Sequence, residues 1–209
     1  MKINEIFYSI QGEGRWAGLP NTFIRTTGCN LRCSFCDTQY AYENGTDMTI
    51  EEITDKIGQY PCNYVCLTGG EPLLQHDTLN LIDMLIKKDY KICLETNGSI
   101  NIENVAHKKS LLISLDIKCP SSAMHEKMCL NNISYLRRGD QLKFVIKNKE
   151  DYEYAKTIIE TYKPLCPVFF QPVWGTDPKK VSTWMLDDGL QVKLSLQLHK
   201  IIFGDKREI

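Results

Sequence analysis

Three cysteines within one short stretch, Cys29, Cys33 and Cys36, give the segment Thr27-Gly28-Cys29-Asn30-Leu31-Arg32-Cys33-Ser34-Phe35-Cys36-Asp37-Thr38 a C-x3-C-x2-C spacing. Three thiolates on one loop can converge on a cubic 4Fe-4S cluster and ligate three irons, whereas four cysteines would fill every position. One iron is then left open for a ligand, by the logic that leaves a catalytic zinc one exchangeable position. A structural zinc site needs a fourth Cys or His nearby, and no His lies between residues 1 and 75. Buried free cysteines, or a zinc knuckle completed from a distance, are the rival readings of the spacing alone.

A second element is Thr68-Gly69-Gly70-Glu71-Pro72, placed after the apolar run Tyr64–Leu67. Paired glycines there let backbone approach a ligand without a Cβ in the way. Three β-rich runs also alternate in a way that a fully buried parallel sheet does not require: Ser114, Asp116 and Lys118 share one face, as do Lys143, Val145 and Lys147, and Ser195, Gln197 and His199. These faces line a polar cavity or, especially for the last run, a solvated sheet edge. Cys62 and Cys66 also have C-x3-C spacing, but Cys66 sits in an apolar strand, where free cysteine behaves as a small hydrophobe. Cys93, Cys119, Cys129 and Cys166 are read the same way.

The elements that must position these residues alternate between strand and helix. Strand patterns fall at Thr22–Thr26, Tyr64–Thr68, Lys91–Glu95, Leu111–Lys118, Gln141–Lys147, Val168–Gln171 and Gln191–His199. Thr49 and Glu52 have capping-box spacing for a helix that stops near Gly58, and Thr78–Lys88 repeats Leu79, Ile82, Leu85 and Ile86 on one face. Glu150–Tyr162 and Pro178–Leu186 are further helices. This order predicts an α/β fold of βα units with right-handed crossovers, its parallel sheet either open or curved into a partial barrel.

With 209 residues and no visible linker or repeat, one domain spanning 1–209 is expected. Lys plus Arg (25) nearly cancels Asp plus Glu (26), which argues against a nucleic-acid surface and for a small-molecule or protein substrate. No run approaches the roughly 18 apolar residues of a membrane span. The N-terminus lacks a basic region followed by a long apolar stretch, so a cytoplasmic home is expected. Nine cysteines are an odd number and poor material for a disulfide framework in a reducing compartment, so metal binding becomes the leading explanation for some of them.

The cysteine loop, with Phe35 before Cys36, resembles the signature of the radical S-adenosylmethionine (SAM) superfamily, and Gly69-Gly70-Glu71-Pro72 resembles its GGEP motif. That resemblance implies SAM on the open iron, the GGEP turn at its amino group, and a 5'-deoxyadenosyl radical after reduction of the cluster. It also gives the expected fold its form: a parallel sheet curved into a partial (β/α) barrel of about six strands. The run Glu5-Ile6-Phe7-Tyr8-Ser9-Ile10-Gln11-Gly12-Glu13-Gly14-Arg15-Trp16-Ala17-Gly18, together with Arg25 in the next strand and Cys36-Asp37-Thr38, is similar to the 7-carboxy-7-deazaguanine synthase family. The likeness continues through Glu95-Thr96-Asn97-Gly98, Ser114 to Pro120, Gln171 to Gly175 and Gln197 to Lys200, nearly the whole chain.

What that second resemblance implies is a carbon–nitrogen lyase. It contracts 6-carboxy-5,6,7,8-tetrahydropterin to 7-carboxy-7-deazaguanine with release of ammonia, in queuosine and 7-deazapurine biosynthesis. The implied cofactors are a 4Fe-4S cluster on Cys29, Cys33 and Cys36, SAM, and Mg2+ with Thr38 as a ligand. Substrate contacts carry over to Ile10, Gln11, Gly12, Glu13, Arg25, Thr68 and His199. SAM contacts carry over to Phe35, Asp37, Gly70, Glu71, Ser114, Asp116, Lys118, Gln171, Pro172, Val173 and Trp174. A homodimer and a flavodoxin or ferredoxin electron donor are further implications, with no nucleic-acid or membrane partner.

Residue by residue, other roles stay open: Thr38 capping a turn, Arg25 in a structural ion pair, Lys118 on a solvated edge, His199 on the surface or in the core. The rival functions are a glycyl-radical activase acting on a protein and a non-catalytic zinc-binding module. Family members often end soon after the His-Lys pair, whereas this chain continues through Asp205 to Ile209, which puts in doubt any role for a terminal carboxylate in closing the pocket.

Overall fold

In a computed structural model, which describes residues 1–204 and 206, the chain forms one nine-stranded sheet, wrapped so that one face encloses a chamber. The strands are β1 (Lys2–Ile10), β2 (Pro20–Thr26), β3 (Thr46–Asp47), β4 (Tyr64–Gly69), β5 (Lys91–Thr96), β6 (Leu111–Ile117), β7 (Gln141–Ile146), β8 (Val168–Pro172) and β9 (Lys193–Leu194). Their spatial order is β3-β1-β2-β4-β5-β6-β7-β8-β9, and the end strands do not pair with each other, so the barrel is open. All pairs from β2 to β9 are parallel, while β1 runs antiparallel to both β2 and β3. The six longer parallel strands, β2 and β4 through β8, are the partial barrel the sequence resemblance implies.

Period-2 alternation divides each strand between two environments. One face carries Ile24, Val65, Leu67, Ile92, Leu94, Ile113, Leu115, Leu142 and Phe144, all fully buried. These join one apolar cluster with Ile53 and Ile57 of α1 (Ile50–Ile57), Leu81, Ile82 and Leu85 of α2 (Thr78–Lys87), and Tyr152, Ala155 and Ile158 of α3 (Lys149–Tyr162). The opposite face turns Arg25, Thr68, Glu95, Ser114, Lys143 and Gln171 into the chamber. The sheet is thus apolar outside, under the helices, and polar inside.

The helix boundaries follow local chemistry. At α1 both halves of the capping box form: Glu52 N donates to Thr49 Oγ1 at 3.1 Å, and Thr49 N to Glu52 Oε2 at 2.7 Å. Asn148 accepts from Asp151 N at the start of α3, and α4 (Pro178–Asp187) begins with proline behind an Asp177 cap. A fifth, short helix, α5 (Leu198–Phe203), closes the described chain.

The run Gln191–His199 is not the long strand its pattern predicts. Only Lys193–Leu194 pair with β8, and the chain then turns so that Leu198 N donates to Gly12 O at 3.0 Å. Ser195 and Gln197 are nevertheless buried, so their alternation marked side chains that point inward from a bent segment. Lys147 likewise falls past the end of β7 and is exposed. The doubt about a terminal carboxylate concerns Ile209, which lies outside the described residues.

Candidate functional site

The chamber has a volume of about 750 Å³ and opens at the C-terminal ends of the parallel strands. Cys29, Cys33 and Cys36 stand on its wall in the loop that follows β2. This loop is anchored rather than free. Gly28 N donates to Ala41 O at 2.8 Å, Glu71 N to Gly28 O at 2.8 Å, and Ser34 N to Ser122 O at 3.1 Å. All three thiols are free and half-buried. Burial raises the Cys33 thiol, and the nearby Lys118 ammonium acts against that rise.

The cysteine loop suits a cluster better than a single ion. Tetrahedral zinc, with Zn–S near 2.3 Å, sets its sulfurs about 3.8 Å apart. Among the described residues, the one His/Cys/Asp/Glu trio with ligand atoms all within 4.8 Å of one another is Cys66, Cys93 and Glu95. At least one pair of sulfurs in the loop is therefore wider than 4.8 Å, so the three do not already sit at the spacing of one tetrahedral ion.

The Gly69-Gly70 turn packs directly on this loop. A Cβ at Gly70 would lie 2.1 Å from Gly28 O and 2.8 Å from Cys29 Cβ, so only glycine fits between β4 and the cysteine loop. Glu71 is different from its expected role as a SAM contact. It is fully buried and absent from the chamber wall, and its carboxylate accepts from Thr96 Oγ1 (2.9 Å), Asn97 N (2.6 Å) and Leu73 N (3.0 Å). Asn97 in turn donates to Asn30 Oδ1 at 3.1 Å and reaches Cys29 Sγ at 3.7 Å. Glu71 ties the GGEP turn to the end of β5, and through Asn97 to the first cysteine.

Every other residue carried over from the resemblance reaches the chamber: Ile10, Gln11, Gly12, Glu13, Arg25, Phe35, Asp37, Thr38, Thr68, Gly70, Ser114, Asp116, Lys118, Gln171, Pro172, Val173, Trp174 and His199. The Gln11-Gly12-Glu13 segment is held by the far end of the chain, since a Cβ at Gly12 would sit 1.9 Å from His199 Nδ1. Gln197 Nε2 donates to Glu13 Oε1 at 2.9 Å, and Lys143 Nζ to Glu13 Oε2 at 2.8 Å. Burial alone would raise the Glu13 carboxyl. The charge of Lys143 and the hydrogen bonds from Lys143 and Gln197 outweigh it and pull the value down to about 2.

Lys143 also lies 3.6 Å from Asp116 Oδ2, which Lys118 approaches to 2.8 Å. Burial opposes the charge on both lysines, but Glu13 and Asp116 around Lys143, and Asp116 beside Lys118, raise them above their ordinary values. Lys118 is therefore inside the chamber and not on a solvated edge. Arg25 does make the structural ion pair that was its rival reading, Nε to Glu5 Oε1 at 2.6 Å, and its guanidinium lies over the rings of Phe7 and Tyr40. The pair stands on the chamber wall, so it orients the guanidinium fork there. The Thr38 hydroxyl donates to Asp37 Oδ1 at 2.9 Å and caps no turn. Burial favours a protonated Asp37, yet the hydrogen bond and charge of Lys200 hold its carboxyl well below the usual range.

Two buried acceptors on the chamber wall, Gln171 Oε1 and Asp116 Oδ1, have no hydrogen-bond partner among the described residues. Such atoms are costly unless something donates to them. The ammonium and hydroxyl groups of SAM are donors of the right kind, and the residues present fit a SAM-bearing cluster. Sequence reasoning assigned no contact to Glu5, Phe7, Tyr40 or Glu95, and read Lys143 and Gln197 only as parts of polar faces; all six line the chamber. For Glu5 and Phe7 the signal was period-2 alternation along β1 that ends in Ser9; for Lys143 it was the polar face of β7.

The Radical SAM superfamily pattern matches residues 23–170. Among relatives, the 7-carboxy-7-deazaguanine synthase of Thermoplasma acidophilum is 38% identical over 205 residues, covering 98% of each chain. That of Chlorobaculum tepidum is 41% identical over 210 residues, covering 98% of this chain and 94% of the relative. In three dimensions the chain is similar to the crystal structure of QueE from Escherichia coli, with a TM-score of 0.77 and 25% identity, over 95% of this chain and 94% of that one. Cluster loop, glycine turn, chamber and full-length kinship coincide, and the chain belongs to the 7-carboxy-7-deazaguanine synthase family of the radical SAM superfamily.

Proposed function

We propose that the chamber is the active site of a carbon–nitrogen lyase that converts 6-carboxy-5,6,7,8-tetrahydropterin to 7-carboxy-7-deazaguanine and ammonia. The observation that carries this reading is that the cysteine loop and the Gln11-Gly12-Glu13 segment, which lie on opposite sides of β2 in the sequence, open onto the same chamber. When bound, the reduced cluster and SAM supply the one-electron chemistry that removes a hydrogen atom from carbon 6 of the pterin.

The protein's own residues bind, orient and shield. Cys29, Cys33 and Cys36 hold the cluster, and Gly70 keeps the backbone close enough to meet the amino group of SAM. Phe35 and Asp37, through backbone, with Ser114, Asp116, Lys118 and Gln171 to Trp174, form the SAM side of the chamber. Arg25, its Nε held by Glu5, offers its terminal nitrogens to the substrate carboxylate. Ile10, Gln11, Gly12, Glu13, Thr68 and His199 read the pterin edge. The Glu13 carboxylate stays ionised at neutral pH and so acts only as an acceptor. The Thr38 hydroxyl, on the chamber wall, would be an oxygen donor to Mg2+, a hard ion that prefers such ligands.

The chain acts as one domain built on one sheet and one apolar core. Nine free cysteines suit the reducing cytoplasm, and no helix among the described residues is long and apolar enough to cross a membrane. Exposed Leu194, Leu196, Ile201 and Ile202 are apolar surface that a second copy would cover in a homodimer. A flavodoxin or ferredoxin is the class of electron donor expected. The test is anaerobic turnover of the carboxytetrahydropterin with reconstituted iron, SAM and Mg2+, read by ultraviolet absorbance and mass. Release of 7-carboxy-7-deazaguanine, with SAM recovered intact, supports the reading; SAM cleavage with an untouched pterin sinks it.

A further inference from the structure

Behind the chamber wall, on the strand that carries the GGEP turn and on its neighbour, lies a cluster of two cysteines and a carboxylate. The parallel register of β4 and β5 places Cys66 beside Cys93, and two residues further on each strand come Thr68 and Glu95. Cys66 is fully buried, Cys93 is 3% exposed, and Glu95 is half-buried on the chamber wall. One ligand atom from each of Cys66, Cys93 and Glu95 lies within 4.8 Å of the other two. Gln11 Nε2 stands over them, 3.4 Å from Cys66 Sγ and 3.2 Å from Glu95 Oε1, while Thr68 Oγ1 donates to Glu95 Oε2 at 3.0 Å. Cys62, the other half of the C-x3-C pair, is turned elsewhere, to Pro20 O and Tyr64.

We propose that Cys66, Cys93 and Glu95 form a second metal site, which takes a d10 ion of the zinc and cadmium class. The donor set is of the right type: two sulfurs and a carboxylate oxygen, with a water from the chamber in the fourth position of a tetrahedron. Tetrahedral zinc needs sulfurs about 3.8 Å apart, so side-chain rotation has to close the trio by about 1 Å at most. Without an ion the cluster is tolerated because burial, followed by the hydrogen bond with Cys93, pushes the Cys66 thiol well up and keeps it neutral.

An ion entering from the chamber past Glu95 displaces the two thiol protons to solvent. It leaves two thiolates and one carboxylate around a double positive charge, with Arg25 close enough to offset the surplus negative charge. Occupation draws Glu95 away from Thr68 and Gln11 and so distorts the segment that carries Gln11 to Glu13.

The test uses the cluster-loaded holoenzyme under anaerobic conditions, with Cd2+ alone as the probe. Thiolate-to-cadmium charge-transfer absorption and a cadmium-113 resonance are recorded together with the visible iron–sulfur absorption. The expected result is one equivalent bound through two sulfurs with the iron–sulfur absorption unchanged. That equivalent is lost in Cys66→Ser and in Cys93→Ser and kept in Cys62→Ser. No thiolate band at one equivalent, a band that survives both serine changes, or a band that grows only as the cluster bleaches would each overturn the proposal. Should a serine variant fail to fold, the cadmium resonance of the unaltered protein decides, because an all-sulfur or all-oxygen environment contradicts the trio.

Discussion

The ion pair of Glu13 with Lys143 joins the Gln11-Gly12-Glu13 segment to β7, and its acid titration has a defined sign. The Glu13 carboxyl falls from an ordinary 4.5 to about 2 in the folded protein. A carboxyl depressed on folding contributes stability that is fully present above its unfolded value and is lost as pH falls through the folded one. The stability difference between the protein and Glu13→Gln is therefore expected to be flat above about pH 5 and to shrink between there and about pH 2, as read by urea unfolding at each pH. A difference that does not vary with pH would remove the pairing. At the glycine turn, Gly70→Ala places a methyl group 2.1 Å from Gly28 O, so we expect a destabilisation of about 1–3 kcal/mol together with a fall in bound iron. Normal iron content and stability in that variant would show that the turn does not brace the cysteine loop. The cysteine spacing and the glycine turn were legible from residue types alone, because each performs a task that few other residues can. Glu71 was not, because a carboxylate in a ligand-binding motif does not reveal whether it faces the ligand or, as here, bonds to Thr96 and Asn97 behind the wall.

At the scale of elements, local signals were strongest where one segment satisfies its own backbone. The capping box of Thr49 and Glu52 forms as its spacing predicts, and Thr49→Ala is expected to lower stability by about 1 kcal/mol in urea or thermal unfolding without changing cluster content. No measurable loss would mean that the cap is redundant. The six long parallel strands were legible because their alternation serves two buried environments, an apolar one under the helices and a polar one inside. Gln191–His199 misled for the same reason. Its buried Ser195 and Gln197 keep the inward rhythm of a strand, but after Ser195, whose N–H still donates to Phe170 O of β8, the backbone leaves the sheet and Leu198 N bonds to Gly12 O, a long-range choice that no local pattern records. The antiparallel β1 is a related case, since its partner β2 is fixed by the sheet and its apolar run is compatible with either direction.

For the whole molecule, an open barrel whose polar interior is lined by both the three-cysteine loop and the Gln11-Gly12-Glu13 segment makes stability depend on its ligands. SAM bound only to the folded, cluster-loaded protein adds about 2.7 kcal/mol at a hundredfold excess over its Kd. We therefore expect SAM to raise Tm in the reconstituted protein and not in Cys33→Ala, by differential scanning calorimetry under nitrogen. An equal shift in both would place SAM away from the cluster. The orphaned acceptors Gln171 Oε1 and Asp116 Oδ1 face the same chamber as the three cysteines, which is why cluster and SAM are expected to report on each other. Electron paramagnetic resonance of the dithionite-reduced, reconstituted protein tests that expectation most directly. A reduced 4Fe-4S signal whose g-values shift when SAM is added, absent from Cys33→Ala, is the predicted result; a signal indifferent to SAM, or no iron–sulfur signal, would contradict an open iron at the mouth of the chamber.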